Sequence, residues 1–425
     1  MQDLIMNEKL KRYAELVEEK LERFYDEKTG LMLSSLKKDN WSPWTPEDFS
    51  GDVLVPQADY YEPNTYDGVM LYENSGMVLG TFLSAMCLKY ADTGDPEALK
   101  KAERTFRGIV KIYELSQSIA PGFYCKPWGG RLTDETSSDQ YIYTLTGLDD
   151  YYSFASDTEK KLIQQMIPSM AEFWMSHDYI WNYLGEKLHW HESRFIGFME
   201  LAFKYSRDIK FKKEADRLIR LQKASGQIPY DANRIRRDKN GKTIFTPYPE
   251  ACLSSLLSLL PALKENPELD FEKTCTGLYQ LGRLGLSEDG TAYSFLEKNA
   301  EEEEFHEIPV SETVYTPVPA KYLQFFGVYG PYRKGGMQTL MYSRFLLLVK
   351  EYITVPEDVC SLVEKLLSLT WENDHLTWFE DPHGIFPSGI QWMTNTISGD
   401  AFSHWLWCYW KLRLQETKPV GNSDS

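Results

Sequence analysis

Short and long connections alternate along this chain, between segments that have helical periodicity. Brief turns are predicted near residues 92–95, 156–157, 206–208, 266–270 and 354–357. Long loops are predicted at 28–74, 116–136, 177–190, 225–247, 286–335 and 371–397. Antiparallel helix pairs joined in this way have tight turns at one rim and elaborated loops at the other. Functional residues are expected at the rim of long loops, because a rigid scaffold positions the side chains that such loops carry.

Two kinds of helix are predicted, and they alternate along the chain. In the first segment Leu10, Ala14, Val17 and Leu21 follow the spacing of one helix face, with charges on the other face. The second segment is apolar nearly all round, which is typical of a helix buried on most sides. The twelve predicted helices are 7–25, 75–90, 96–115, 138–155, 158–176, 191–205, 208–224, 249–264, 270–285, 336–352, 357–370 and 399–414.

Six buried helices that alternate with six half-solvated helices fit two concentric rings. The sequence therefore predicts an all-α fold, an (α/α)6 toroid, with small β-hairpins in the long loops at 179–190, 235–245 and 375–392. An open α-solenoid is the alternative, although its linkers are usually short on both rims. No Pro-, Ser- or Gly-rich linker divides the chain, so one domain over 1–425 is predicted, with a disordered tail from about 416.

Charge and cysteine usage narrow the class of protein. The formal net charge of −17 argues against nucleic acid and anionic membranes as partners. No apolar run approaches the length that spans a bilayer, so a soluble protein is predicted, cytoplasmic as given, or periplasmic or secreted if a leader was removed. The six cysteines form no CxxC pair, and buried free thiols are predicted rather than disulfides.

In the toroid, the long loops deliver the chain to the N-termini of the inner helices, which then surround one funnel. Acidic residues lie at several of these starts. Asp139 and Glu73 are the predicted catalytic pair, with Glu192, His191 and Glu135 as further catalytic candidates. Capping is the alternative for each acid, since Asp and Glu are favoured near exposed backbone N–H groups. Asp134 and Asp400 are predicted to be caps or supporting residues.

Aromatic and basic side chains in the same loops indicate a surface that binds sugars. The predicted substrate-binding residues are Trp44, Tyr66, Trp128, Arg131, Trp190, Arg194, Trp392 and His404. For the aromatic residues the alternative is packing in the core and loops. Arg131, Arg194 and Lys126 could hold a substrate carboxylate, or form salt bridges to Glu135 or Glu192.

No metal or cofactor is predicted. The segment His189–Glu192 does not have the HExxH spacing, and no cysteine accompanies it. The glycines near 327–336 form neither a dinucleotide-binding motif nor a phosphate-binding loop.

The twelve-helix rhythm and the segment from Glu135 to Tyr141, at the start of an inner helix, resemble the six-hairpin glycosidase superfamily. In unsaturated glucuronyl hydrolases and related families, acids at the starts of early inner helices perform the chemistry. The resemblance implies this role for Asp139, and for Glu73 with less support. The N-acylglucosamine 2-epimerase group shares the toroid, but its paired catalytic histidines have no clear counterpart here.

These observations predict a glycoside hydrolase acting on an oligosaccharide, with uronic-acid-containing glycans among the candidates. Cleavage of a glycosidic bond requires one carboxylic acid to protonate the leaving oxygen and a second carboxylate to attack the sugar or activate water. Two alternatives remain: a polysaccharide lyase with Tyr66 or His191 as base, and a helical scaffold without enzymatic activity. The sequence does not give the oligomeric state.

Overall fold

The structure of the 425-residue chain is a computed structural model. The residues that it describes are 2–50, 65–183, 186–190, 192–225, 236–237, 243–245, 249–266, 271–284, 286, 293–294, 332–334, 336–380 and 388–417.

The predicted buried helices are present in the described part of the chain. They are α3 (Ser75–Thr93), α5 (Ser138–Tyr151), α7 (Ile196–Ser206), α9 (Pro249–Glu265), α11 (Gly336–Val349) and α13 (Gly399–Thr417). In α3 every residue from Ser75 to Cys87 is buried, as expected for a helix that is apolar nearly all round.

The predicted half-solvated helices are also present. They are α1 (Gln2–Leu21), α4 (Pro96–Ser116), α6 (Asp157–Ser176), α8 (Ile209–Ser225), α10 (Glu272–Leu284) and α12 (Val359–Glu372). Local sequence fixes several of their starts. Asp95 caps α4 by accepting from the backbone N–H of Glu97, with Pro96 in the first position. Ser156 and Glu159 form a capping box at α6.

The buried helices form a closed ring. Helix α3 packs against α5, α5 against α7 and α9, α7 against α9, α9 against α11, α11 against α13, and α13 against α3. The other helices lie outside this ring: α4 on α3, α6 and α8 on α7, α10 on α9 and α11, α12 on α11 and α13, and α1 on α12 and α13. This confirms the (α/α)6 toroid. The open solenoid is wrong, because the first and last inner helices touch.

Helices α3 and α5 approach each other through two glycines. A Cβ atom on Gly80 would lie 2.2 Å from the carbonyl oxygen of Tyr143, and one on Gly147 would lie 2.5 Å from the carbonyl oxygen of Gly80. Both distances are far inside van der Waals contact, so only glycine permits this crossing.

The loops carry short antiparallel strands, and three of the described pairs each form within a single loop. Strands β1 (Tyr25–Asp26) and β2 (Leu31–Met32) pair with each other. The predicted hairpin at 179–190 is confirmed as β4 (Ile180–Tyr183) with β5 (Glu186–His189). The predicted hairpin at 235–245 is confirmed as β6 (Arg236–Arg237) with β7 (Thr243–Phe245), and its predicted turn, Asn240-Gly241, lies outside the described residues.

The last long loop pairs differently from the prediction. Strand β10 (Phe379–Glu380) pairs with β9 (Tyr332–Lys334), which also pairs with β8 (Tyr293–Ser294). Strand β11 (Thr396–Ser398) pairs with β3 (Ser35–Lys37). The strands of this loop thus find partners far away in sequence, which a local hairpin pattern does not reveal.

The helices also differ from the prediction in several places. A short helix, α2 (Tyr66–Tyr72), lies in the first long loop. Helix α7 begins at Ile196 rather than near 191, because a 3-10 turn (Glu192–Phe195) precedes it. Helix α13 continues to Thr417, past the predicted start of the tail, whose remaining residues lie outside the described part.

All six cysteines are free, and all except the half-buried Cys360 are buried, which confirms the predicted thiols. Among the helices that the structure describes, none combines the length and the apolar character that a membrane crossing requires.

Candidate active site

Glu73 lies between α2 and α3, with both of its carboxylate oxygens in hydrogen bonds. Oε1 accepts from the ammonium group of Lys126 at 2.5 Å, and Oε2 accepts from the indole N–H of Trp128 at 3.0 Å. Its side chain remains 18% exposed. The predicted acid is thus held in one orientation at the start of an inner helix.

Gln140 connects Glu73 to the neighbouring inner helix. Its side-chain oxygen accepts from the backbone N–H of Gly76 at 3.1 Å, and its amide nitrogen donates to the backbone oxygen of Glu73 at 3.3 Å. Gln140 is fully buried. The start of α3 and the first turn of α5 are therefore joined directly.

Asp139 lies in the first turn of α5 and is half-buried. The residues on both sides of it are anchored: Gln140 by α3, and Ser138 by Arg194, whose Nη1 donates to the Ser138 hydroxyl at 2.7 Å. The backbone that carries Asp139 is fixed by contacts from two other hairpins of the toroid.

Aromatic rings connect the segment of Lys126 to the start of α5. The guanidinium of Arg194 lies 5.1 Å from the ring centroid of Trp190, whose ring lies 5.4 Å from that of Tyr183. The ammonium of Lys126 lies 5.6 Å from the Tyr183 centroid. Contacts therefore run from Glu73 through Lys126, Tyr183, Trp190 and Arg194 to Ser138, the residue before Asp139.

The starts of other inner helices lie at the same end of the toroid. The Ser34 hydroxyl accepts from the backbone N–H of Asn74 at 2.6 Å, and the Ser34 carbonyl accepts from the N–H of Gly399 at 2.8 Å. Ser34 thus joins the starts of α3 and α13. As predicted, N-termini of inner helices gather on the rim of long loops.

Two further acids lie in the loop before α5. Glu135 is 7% exposed, and its backbone oxygen accepts from the N–H of Lys126 at 2.8 Å. Asp134 is exposed and accepts from the side-chain amide of Asn182 at 2.9 Å. Asp134 therefore ties the loop to β4.

The predicted aromatic wall divides into two groups. Trp128 and Trp190 lie near Glu73 and are 1% and 8% exposed. Trp44 packs with Phe49 and Trp392 in a separate cluster, with the ring of Trp392 5.7 Å from that of Trp44. Because Trp44, Trp128 and Trp190 are buried, their faces pack on protein. Tyr66, Tyr183 and Trp392 are half-buried.

His404 is fully buried within α13. Its Nδ1 lies 2.8 Å from the backbone oxygen of Asp400, and its ring centroid lies 5.6 Å from that of Tyr143. Burial, together with the charge of Arg344, lowers the pKa of His404 well below its usual range. His404 and Asp400, both 0% exposed, thus lie in the polar interior of the toroid rather than on an open surface.

The remaining predicted site residues are either exposed, buried or outside the described part of the chain. Arg131 is exposed beside Gly129. Arg194 is 2% exposed and Lys126 is 2% exposed, so two of the three cations considered for a substrate carboxylate are buried in internal contacts. Glu192 begins the 3-10 turn before α7, and its side chain lies outside the described part, as does all of His191.

Sequence reasoning missed three supporting residues: Gln140, Ser138 and Tyr183. A signal was available for Gln140, because an amide inside a helix that is apolar nearly all round requires hydrogen-bond partners. The role of Tyr183 depends on how the β4–β5 hairpin folds over Lys126, which no local pattern encodes.

Comparison with solved structures places the architecture among known folds. A D-mannose isomerase matches 95% of this chain and 98% of its own, at 13% identity and a TM-score of 0.54. An unsaturated glucuronyl hydrolase specific for heparin matches 97% of this chain and 98% of its own, at 10% identity and a TM-score of 0.52. The chain shares the (α/α)6 toroid fold of these two enzymes.

A third structure, the Lin0763 protein from Listeria innocua, matches 96% of this chain and 98% of its own, at 13% identity and a TM-score of 0.51. No protein-family model matches the sequence, and no curated protein sequence matches it. At these identities the similarity establishes the fold alone, because one fold can host many different reactions.

Proposed function

We propose that this protein is a glycoside hydrolase that acts on an oligosaccharide, with Asp139 and Glu73 as its two catalytic carboxylates. The supporting observation is the Gln140 bridge, which brings the start of α5 beside Glu73. Glycoside hydrolysis requires a pair of carboxyl groups that flank one bond, and two neighbouring inner helices supply such a pair here. The hydrolase and isomerase named among the similar structures both act on carbohydrates, which favours a sugar substrate.

The hydrogen bonds suggest different roles for the two acids. Glu73 accepts from an ammonium group and an indole N–H, and this fixed carboxylate is suited to stabilise positive charge on the sugar or to activate water. Asp139, which precedes Gln140 in the first turn of α5, is then the group assigned to protonate the glycosidic oxygen.

The same rim supports the binding of a sugar chain. Tyr66, Tyr183 and Trp392 are only half-buried and are the candidates for stacking on sugar rings. Arg131 is exposed in the loop before α5 and is suited to pair with a uronate carboxylate. The uronic acid class named for one similar structure, the unsaturated glucuronyl hydrolase, is therefore the first class of substrate to test.

The test is hydrolysis of a panel of neutral and uronic-acid-containing oligosaccharides, measured as the release of new reducing ends. Asp139→Asn and Glu73→Gln are each expected to lower kcat at least about 100-fold. Asp134→Asn is the matched control, since this exposed carboxylate lies in the same loop and is tied to Asn182. Wild-type rates for Asp139→Asn on the true substrate would refute the proposal.

Other products would indicate a different reaction. An unsaturated product that absorbs in the ultraviolet, formed without addition of water, would identify a lyase. Of the two bases considered for a lyase, Tyr66 lies among the described residues. Interconversion of a free monosaccharide without new reducing ends would identify an isomerase. Binding of a glycan without turnover would support a scaffold.

A further inference from the structure

The ammonium group of Lys126 is buried at the candidate site. The residue is 2% exposed, and its Nζ donates to Glu73 Oε1 at 2.5 Å and to the Glu73 backbone oxygen at 3.1 Å. A buried ammonium is costly unless it is paired and hydrogen-bonded. Glu73 supplies the charged partner, and the ring of Tyr183 lies over the ammonium at 5.6 Å.

The segment that carries Lys126 is itself held in place. Its backbone N–H donates to the Glu135 carbonyl at 2.8 Å, and its carbonyl accepts from the Thr133 hydroxyl at 2.6 Å. Trp128, two residues on, donates to the second oxygen of Glu73. One anchored segment therefore holds both oxygens of Glu73 and sets the direction of the carboxylate.

We infer that Lys126 is a positioning residue, which together with Trp128 fixes the direction of the Glu73 carboxylate at the candidate site. This inference rests on the proposed function. The ammonium of Lys126 and the indole N–H of Trp128 each hold one oxygen of that carboxylate. Since Lys126 is covered on its other sides, it acts on the reaction through Glu73 and not by direct contact with a sugar.

The experiment compares Lys126→Met with the loss of a half-buried cation elsewhere. Lys89 is half-buried and donates to both oxygens of Glu18 at 3.0 Å, between α3 and α1. Lys89→Met therefore removes a lysine–glutamate pair without changing a residue of the candidate site, although Glu18 keeps Lys101 as a second partner. Both variants are measured for kcat and KM on a glycan that the wild type hydrolyses.

Lys126→Met is expected to lower kcat at least about 30-fold with a change in KM of less than about threefold, because an interaction needed in the transition state is lost. Lys89→Met is expected to keep the wild-type kcat and KM. A folded Lys126→Met protein with wild-type kcat would overturn the inference.

A second measurement does not depend on activity. In urea unfolding, Lys126→Met leaves the Glu73 carboxylate without its cation, while Lys126→Met/Glu73→Gln removes both charges. The double variant is expected to unfold at a higher urea concentration than the single variant. Additive losses would show that the two residues are not coupled and would overturn the inference. Absence of hydrolysis by the wild type on every glycan would refute the proposed function alone.

Discussion

Gln140 Oε1 accepts a hydrogen bond from the backbone N–H of Gly76 at 3.1 Å, and this contact joins the starts of two neighbouring inner helices. Gly76 has no side chain to oppose the approach, since a Cβ atom there would lie 2.7 Å from the same oxygen. The distance between the two proposed carboxylates therefore depends on a buried amide that belongs to neither acid.

Gln140→Leu tests this bridge. The variant leaves the Gly76 N–H without its acceptor in the interior, which is expected to lower the free energy of unfolding by about 1–3 kcal/mol. It is also expected to lower kcat, since a small displacement of α5 moves Asp139 relative to Glu73. Urea unfolding and glycan hydrolysis measure the two effects. Gln165→Leu, at an exposed position of α6, is the control. Equal stabilities for the two variants would contradict the bridge.

Arg194→Lys tests the anchor on the other side of Asp139. Lysine keeps the charge but loses the planar group that lies against Trp190 while it donates to Ser138. A decrease in kcat of about tenfold is expected, with the overall helix content unchanged. Arg220→Lys, at an exposed position of α8, provides the comparison. If both variants hydrolyse the substrate equally fast, Arg194 does not set the position of α5.

Gly80→Ala tests the crossing of α3 and α5. The added methyl group would lie 2.2 Å from the Tyr143 carbonyl oxygen, so the helices must separate, at a cost of about 3 kcal/mol in the free energy of unfolding. At Gly108, on α4, a Cβ would lie 3.0 Å from its nearest neighbour, the carbonyl oxygen of Gly30, and 3.1 Å from Leu79. Thermal unfolding should show a smaller loss for Gly108→Ala, and the reverse order would contradict this packing.

His404 predicts a pH dependence of stability. Its folded pKa is lowered by burial and by Arg344, whereas the unfolded chain binds a proton near pH 6.5. Below that pH the unfolded state binds more protons, so stability falls as pH falls, with a slope approaching about 1.4 kcal/mol per pH unit.

His404→Gln removes this titration and is expected to flatten the stability profile between pH 7 and 5, as measured by urea unfolding. Phe402→Leu, at a buried position of the same helix, separates simple destabilisation from titration. It should lower stability at every pH while keeping the wild-type slope. A wild-type slope in His404→Gln would show that His404 titrates in the folded protein much as it does in the unfolded chain.

The sequence by itself determined the scaffold. Apolar periodicity located each of the inner and outer helices to within a few residues, because a helix that is buried all round differs in composition from one with a solvated face. The same pattern, with its alternating loop lengths, indicated the toroid and the rim on which Asp139 and Glu73 lie. The residues of a local turn also predicted the 179–190 hairpin.

Only the tertiary structure decided which side chains meet. The contacts of Glu73 with Lys126 and Trp128 span more than fifty residues, and the partners come from different loops. The same holds for the pairing of β10 with β9, and for the burial of Arg194 and His404, which the sequence had placed on a binding surface. Local patterns report the solvent exposure of a helix face, whereas pairing between loops depends on ring closure, which brings distant segments to one end of the toroid.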